Sequence, residues 1–485
     1  MIVLDGSSLT AGDVAQIAAG GEDVAISAEA RAVAARANAQ ALAVTRPVYG
    51  RSTGVGGNRL VSIDEDPATA GHDFDPGLDL LRSHASSSGP LRSRERVRAM
   101  LVVRLNQLAA GGSGINPGVL DGLLDMIRQD ALPPVREYGG VGTGDLPALA
   151  TTALALLGEI PTSTPLGRVI PLTIGDAVPL LSSNAATIAD AAIALGRLRG
   201  LSRAALAIAA ATFVGTAGNG EAFSRAVEDV TPFDGAQSVC RTIRRLTVGA
   251  PGAARIQDPF ALRALPQVHG PLLDALSILA DVVTRLANAP AENPVYRPGF
   301  DVVHHGGFHV AYLAQSLDST RLALAEAAQL SLARLSMLCA PDNTGLPPFL
   351  ANGRPGASGV MVVEYVVASA LAELRAAATP AALQTVTLSN GVEEDASFAS
   401  LGARQALVAA DAFRGVLAGE LVAAVRCLRM KELEPPPLRG LLAACAGFGT
   451  SLTDRDLTDD LQRAEQVLDL VSAEDGNFDA LASAG

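Results

Sequence analysis

Residues 401–431 read LGARQALVAADAFRGVLAGELVAAVRCLRMK. The run is too apolar for a solvated face and too long for a strand, so it predicts a buried helix. Two further segments have the same character, roughly residues 310–340 and 358–378. Upstream, Ala204 to Gly220 carries no charge and approaches the length of a membrane span. It is built mainly from Ala, Gly and Thr, which gain little on transfer to lipid, with Arg203 and Glu221 at its ends. A helix in a large soluble core is the better reading, with no membrane partner. Helices that are apolar nearly all round need neighbours on several sides. A long-helix bundle extended by oligomerisation supplies them, and the expected fold class is mainly α.

Shorter signals agree. Thr10 to Asp13 fits a capping box ahead of Val14 and Ile17. Asn116-Pro117 starts a helix whose Leu120, Leu123, Leu124 and Ile127 share one face until Pro133-Pro134 stops it. Pro271 is expected to open another helix, carrying Leu272, Leu276, Leu279, Val283 and Leu286. Strand-like pieces are few: Arg168 to Ile174, interrupted by Pro171, and Thr385 to Leu388. The tail after Ser472 is expected to fray.

Composition narrows the function. Of 485 residues, 49% are hydrophobic and 18% charged, which excludes a disordered chain. Lys+Arg 37 against Asp+Glu 50 leaves −13, which argues against a nucleic-acid binder. Cys240, Cys339, Cys427 and Cys445 lie far apart and read as buried thiols in a reducing compartment. The N-terminus lacks a basic region followed by an apolar core, so a cytoplasmic protein is expected. His305 and His309 are four residues apart, but Gly306-Gly307 and the missing HExxH glutamate leave no expected metal site.

Two glycine-rich loops depart from this helical pattern. Tyr49 to Arg59 (YGRSTGVGGNR) has no phosphate-loop Lys-Ser/Thr pair and no GxGxxG spacing. It is either a flexible connection or a mobile lid that delivers Tyr49 or an arginine to a substrate. Tyr138 to Pro147 (YGGVGTGDLP) runs into an apolar helix, with Asp145 as the expected N-cap and Pro147 in the first turn. Gly142-Thr143-Gly144 then precede a helix N-terminus, where unpaired N–H groups polarise an electrophile or hold an anion; a plain turn is the alternative.

In order, these motifs resemble the histidine/phenylalanine ammonia-lyase family of aromatic amino acid lyases. Tyr49-Gly50-Arg51-Ser52-Thr53-Gly54-Val55-Gly56 is similar to its YGxNTGFG lid, and Ser83-His84-Ala85 to its SHA segment. Arg104-Leu105-Asn106 through Gly112-Ser113-Gly114 resembles RxN…GxSG, and Asn184 falls at the NGT position. Gln257-Asp258-Pro259-Phe260-Ala261-Leu262-Arg263, with Pro266-Gln267-Val268, resembles QDPYSLR…PQV. Gly306-Gly307-Phe308-His309 resembles GNFH, Leu346 to Leu350 LPPFL, and Glu393-Glu394-Asp395 QED. The resemblance implies a fumarase/aspartase-like helical homotetramer, with active sites assembled from several subunits. It places an N-terminal active-site region in residues 1–200 and a helical bundle with C-terminal helices in 201–485. The family's electrophile is a 4-methylidene-imidazol-5-one, formed with loss of two waters from an internal Ala-Ser-Gly.

Here that tripeptide is Gly142-Thr143-Gly144. A dehydrated threonine would carry a methyl group on the carbon that must accept the nucleophile, donating electron density and blocking approach. Phe260 stands where the family has a working tyrosine, and has no proton to exchange. Ser52, Val55, Gly307 and Ala396 are further departures. The resemblance implies Tyr49 as base, its phenol needing a cation or dipole to lower it from ~10. It implies Arg263 as carboxylate receptor, Asn184 as an orienting group, and Gln257, His84, Phe308 and Glu394 as substrate contacts. The expectation is a carbon–nitrogen lyase of altered chemistry acting on a small amino-acid-derived carboxylate by elimination, addition or cyclisation, with no cofactor. A conventional lyase or aminomutase using a methyl-substituted ring from Thr143, and a catalytically silent binding protein, are the alternatives.

Overall fold

The helix Arg94–Ala109 is buried along almost its whole length, so every polar side chain on it needs a partner. Each has one. Arg98 Nε donates to the Ile17 carbonyl at 2.8 Å, and Arg104 pairs with Glu292 at 2.8 Å with neither exposed. Asn106 Nδ2 donates to the Ala287 carbonyl (2.9 Å), while its oxygen accepts the Gly6 N–H (3.0 Å). Gln107 donates to the Leu286 carbonyl (3.0 Å) and accepts from Ser183 Oγ (2.6 Å). The Arg104–Asn106 motif thus fastens the segment around residues 286–292 onto this helix.

The computed structural model describes residues 1–63 and 75–473, and the tail expected to fray lies outside them. The chain forms two units. The first comprises Met1–Gly196, Leu279–Leu317 and Pro380–Arg404; the second comprises Arg197–Ile278, Asp318–Thr379 and Gln405–Gly485. The N-terminal region therefore shares its unit with two later segments, beyond the division drawn at residue 200.

In the first unit, Ala11–Ala19 begins with the Thr10–Asp13 capping box, Asp13 N–H to Thr10 Oγ1 at 3.1 Å and Thr10 N–H to Asp13 Oδ2 at 2.9 Å. Gly118–Gln129 follows Pro117 and ends where Asp130 turns left-handed (φ 53°), ahead of the two prolines. Among the described residues the unit also holds three two-stranded ribbons: Ile2–Leu4 parallel to Val24–Ile26, Ser88–Leu91 antiparallel to Arg136–Tyr138, and Val295–Tyr296 antiparallel to Val302–Val303. The two strands expected from sequence do not form. Residues 168–173 are irregular, because Pro171 has no N–H to donate, and of Thr385 to Leu388 only Leu388 makes a bridge, to Glu393.

The long helices appear where expected: Ala311–Cys339, Met361–Ala377 and Ala399–Met430. Residues 204–214 fall within Ala185–Gly215 and are almost entirely buried. Among the described residues, Ile174–Gly215 and Ala311–Cys339 are long and apolar enough to cross a membrane, but the apolar window of the first is 89% buried, as in a core helix. Pro271 does not open its helix. It lies inside Leu265–Ala287, whose first turns bury Leu265 and His269. Burial on both sides of the proline outweighs the one hydrogen bond it removes.

The second unit encloses a buried ion pair. Glu420 accepts from Arg334 Nε (2.6 Å) and Nη2 (2.8 Å), Thr212 Oγ1 (2.8 Å) and Ser331 Oγ (2.5 Å), and both charged side chains are inaccessible. His269 is buried nearby; burial, and then the Arg334 charge, hold its pKa down to about 3. A depressed histidine pKa stabilises the fold above the unfolded value of about 6.5, and that contribution is lost as pH falls toward 3. Unfolding free energy is expected to drop by about 2 kcal/mol from this group between pH 7 and pH 5. Urea titrations of wild type and His269→Gln check this: the variant should lack that part of the acid loss, and equal losses would contradict it.

Candidate active site

The residues before Leu146–Leu156 make a turn that depends on glycine. Gly142 has φ +87° and Gly144 φ +118°, both left-handed values that favour glycine. A second segment clamps the turn from outside: Ser397 Oγ donates to the Gly142 carbonyl (2.7 Å), Phe398 N–H to Val141 (2.9 Å) and Ser400 Oγ to Gly140 (2.9 Å). The clamp leaves no space at position 142. A Cβ there would lie 2.4 Å from Ser397 Oγ and 2.7 Å from the backbone nitrogens of Phe398 and Ala399.

From the inside, Asn184 holds the same turn. Its Oδ1 accepts the Gly144 N–H at 3.0 Å and its Nδ2 donates to the Phe308 carbonyl. Asn184 is fully buried, and these two bonds tie its amide to backbone groups. Asp145 occupies the N-cap position without capping its own helix; its carboxylate accepts instead from Thr187 N–H (2.8 Å) and Oγ1 (2.9 Å). Burial pushes the Asp145 carboxyl up despite the nearby Arg92 and these hydrogen bonds. The open N–H groups expected at this helix start are thus partly engaged.

Thr143 and Gly144 border a cavity of about 1140 Å³ within the first unit. Tyr49, Arg59, His84, Phe308, His309, Glu393, Glu394 and Asp395 line it too. The Tyr49–Arg59 loop therefore lies at the cavity, as a lid would. The Tyr49 hydroxyl accepts the Gly56 N–H (2.8 Å), and its ring meets His304 edge-on at 6.5 Å. Burial raises the Tyr49 phenol above its ordinary range; the Gly56 N–H and Arg59 oppose this, and Glu393 adds to it. The expected lowering by cations is outweighed by burial. His84 Nδ1 lies 2.9 Å from the Leu80 carbonyl, which only accepts, so Nδ1 carries the proton and Nε2 keeps the lone pair.

Gln257, Phe260 and Arg263 belong to the second unit and are not among the cavity's lining residues. They form a clamp of their own. The Arg263 guanidinium stacks 4.2 Å from the Phe260 ring centre, and the Gln257 amide oxygen accepts from all three guanidinium nitrogens at 2.8–2.9 Å. Asp258 pairs with Arg255 (2.8 Å), which leaves Arg263 without a carboxylate partner there. Sequence reasoning placed Arg59 in the lid loop, His309 beside Phe308 and Asp395 in the Glu393-Glu394-Asp395 motif without giving any of them an individual role, and did not single out Ser397 or Ser400. Those two become visible once the chain brings residues 389–400 against residues 49–59 and 140–144.

A sequence profile of the family described as "Aromatic amino acid lyase" matches residues 9–447. Histidine ammonia-lyase of Geobacillus thermodenitrificans is 32% identical over 458 residues, covering 90% of each chain. The ergothioneine-degrading enzyme ergothionase of Treponema denticola, solved with desmethyl-ergothioneine sulfonic acid, shares the fold at a TM-score of 0.88 and 22% identity, over 97% of this chain and 99% of that one. Tyrosine aminomutase of Streptomyces globisporus does so at 0.87 and 24%, over 99% and 98%. The continuous match, the helical fold and a cavity built from the lid, the Gly-Thr-Gly turn and the residues 393–395 make this chain a member of the aromatic amino acid lyase family, a lyase-type enzyme.

Proposed function

We propose that this lyase acts on a small amino-acid-derived carboxylate by proton transfer, most directly in an elimination, and without the family's prosthetic electrophile. Thr143, at the centre of the Gly142–Thr143–Gly144 turn, carries the reading. Ring closure joins the third residue's nitrogen to the first residue's carbonyl carbon. Here that N–H donates to Asn184 and that carbonyl oxygen accepts from Ser397, contacts that leave the nitrogen nucleophilic and the carbon electrophilic; what differs from the family's tripeptide is Thr143 at its centre. The β-methyl of Thr143 would then burden the accepting carbon. These residues do not fit the group.

The resemblance to a homotetramer with shared sites supplies the proposed route by which Arg263 of a neighbouring copy meets the cavity as carboxylate receptor. Phe260, lacking a hydroxyl, would serve by stacking under that guanidinium. A reaction without an electrophile favours a nitrogen that leaves unaided. A quaternary ammonium has no lone pair to add to a methylidene carbon, and departs as a neutral tertiary amine. The Treponema denticola enzyme degrades ergothioneine, whose α-nitrogen is quaternary, which supports this substrate class.

The test is amine release and unsaturated-acid formation by the purified full chain, offered ergothioneine and, separately, L-histidine, L-tyrosine and L-phenylalanine. Release from the quaternary substrate is expected, with a loss on the order of 10²–10⁴-fold in Tyr49→Phe. Brisk conversion of the primary amino acids would instead favour a conventional lyase with a Thr143-derived ring. Binding without turnover would favour a silent protein.

A further inference from the structure

We infer that Ser389 is a positioning residue: its hydroxyl latches the Tyr49–Arg59 lid and so fixes the Tyr49 hydroxyl at the cavity. The inference rests on the reading above that Tyr49 serves in proton transfer, and it names what holds that side chain in place. The Gly57 N–H donates to Ser389 Oγ at 3.0 Å, and the preceding amide, the Gly56 N–H, donates to the Tyr49 hydroxyl at 2.8 Å. The serine and the tyrosine are thus held by successive amides joined through one α-carbon. The contact is close. A Cβ on Gly56 would lie 2.4 Å from Ser389 Oγ, and one on Gly57 would lie 3.0 Å from Asn390 Nδ2. Tyr49, Gly56 and Ser389 all line the cavity that Thr143 borders. The Gly56 N–H occupies one lone pair of the Tyr49 oxygen and leaves the hydroxyl free to give or take a proton, so the latch serves either role.

Ser389 stands at the tip of a hairpin. Leu388 N–H donates to the Glu393 carbonyl (2.9 Å), and Gly391 N–H closes a four-residue turn onto the Leu388 carbonyl (2.9 Å). The two central residues, Ser389 (φ 55°) and Asn390 (φ 57°), are both left-handed, the hairpin form in which Asn and Gly are favoured. Asparagine tolerates that conformation, whereas serine adopts it at a steric cost that glycine would avoid. What serine adds there is a hydroxyl, and the lid engages it. A disfavoured backbone held at a cavity wall points to a working contact. The same stretch of chain runs on to Ser397 and Ser400, which clamp the turn around Thr143. One short segment therefore supports both the lid and the turn, and the distance between Tyr49 and a bound substrate depends on it.

Two measurements on the full-length protein test this. The first is hydrogen exchange at single-residue resolution, without substrate, in wild type, Ser389→Ala and Ser389→Gly. Loss of the hydroxyl should speed exchange by about 3–10-fold at Gly57 and also at Gly56, whose acceptor is Tyr49, while Arg94–Ala109 keeps its protection. Faster exchange at Gly57 alone would show that the serine serves only its own partner, and would overturn the inference. Wild-type exchange in Ser389→Gly would do so too, by assigning the contact to the turn's backbone. The second measurement is turnover of the substrate that wild type accepts. Ser389→Ala should lower kcat on the order of 10-fold, with little further loss when Tyr49→Phe is already present. Unchanged kcat contradicts the latch. So does a loss that persists in full in Tyr49→Phe, or a rise in KM alone, since Ser389 would then meet the substrate itself. If wild type turns over none of the substrates offered, the elimination fails, and exchange at Gly56 still decides the latch.

Discussion

Glu420→Ala is expected to destabilise the chain by about 3–5 kcal/mol, because it leaves a guanidinium buried without its counter-charge. Arg334 has no solvent exposure, and two of its three nitrogens give their hydrogen bonds to Glu420. The same substitution orphans Thr212 Oγ1 and Ser331 Oγ, which both donate to that carboxylate. A buried group that loses its partner bears the desolvation penalty with nothing returned. Arg334→Ala should cost a similar amount for the mirror-image reason. The paired replacement Arg334→Met with Glu420→Leu should cost clearly less than the two single losses added together, since both charges leave at once. Urea unfolding midpoints of the three variants decide the matter; additive losses would show that the pair is not coupled.

The second large effect is expected at Gly142. An alanine there must adopt a left-handed φ of +87°, costing about 1–3 kcal/mol. Its methyl group also overlaps Ser397 Oγ and two backbone nitrogens, which forces the clamp apart for another 1–3 kcal/mol or so. Gly142→Ala should therefore lower stability by about 2–6 kcal/mol and raise hydrogen exchange at residues 140–145 and 397–400 together. Ser397→Ala removes the bond to the Gly142 carbonyl and a longer one from the Ala399 N–H (3.4 Å), together worth about 1–2 kcal/mol. It should not rescue Gly142→Ala, because the backbone nitrogens of Phe398 and Ala399 remain in place. Rescue would show that the crowding comes from the serine side chain alone.

Sequence and structure agree where one local rule decides. The Thr10–Asp13 box, the Pro117 helix start and the three long apolar helices each follow from capping chemistry or periodicity. They part where tertiary contacts decide. Pro271 reads as a helix start until the burial of Leu265 and His269 carries the helix back past it. Asn184 and Asp145 read as ligand or cap, and both are consumed by backbone and hydroxyl groups far along the chain. Tyr49 reads as a base that cations would activate, yet its burial works the other way. Thr143 was legible as a departure from serine at the family's ring-forming position; the reason Gly142 precedes it lies in Ser397 to Ala399, more than two hundred residues away.

All of this turns on whether the chain from Val141 to Asp145 is ordinary peptide. The mass of the intact protein, with that of the proteolytic peptide spanning these residues, measures it directly. The expected result is the full unmodified mass in both. A deficit of two water molecules located to Gly142–Thr143–Gly144 would mean that the turn has cyclised, and would contradict the account.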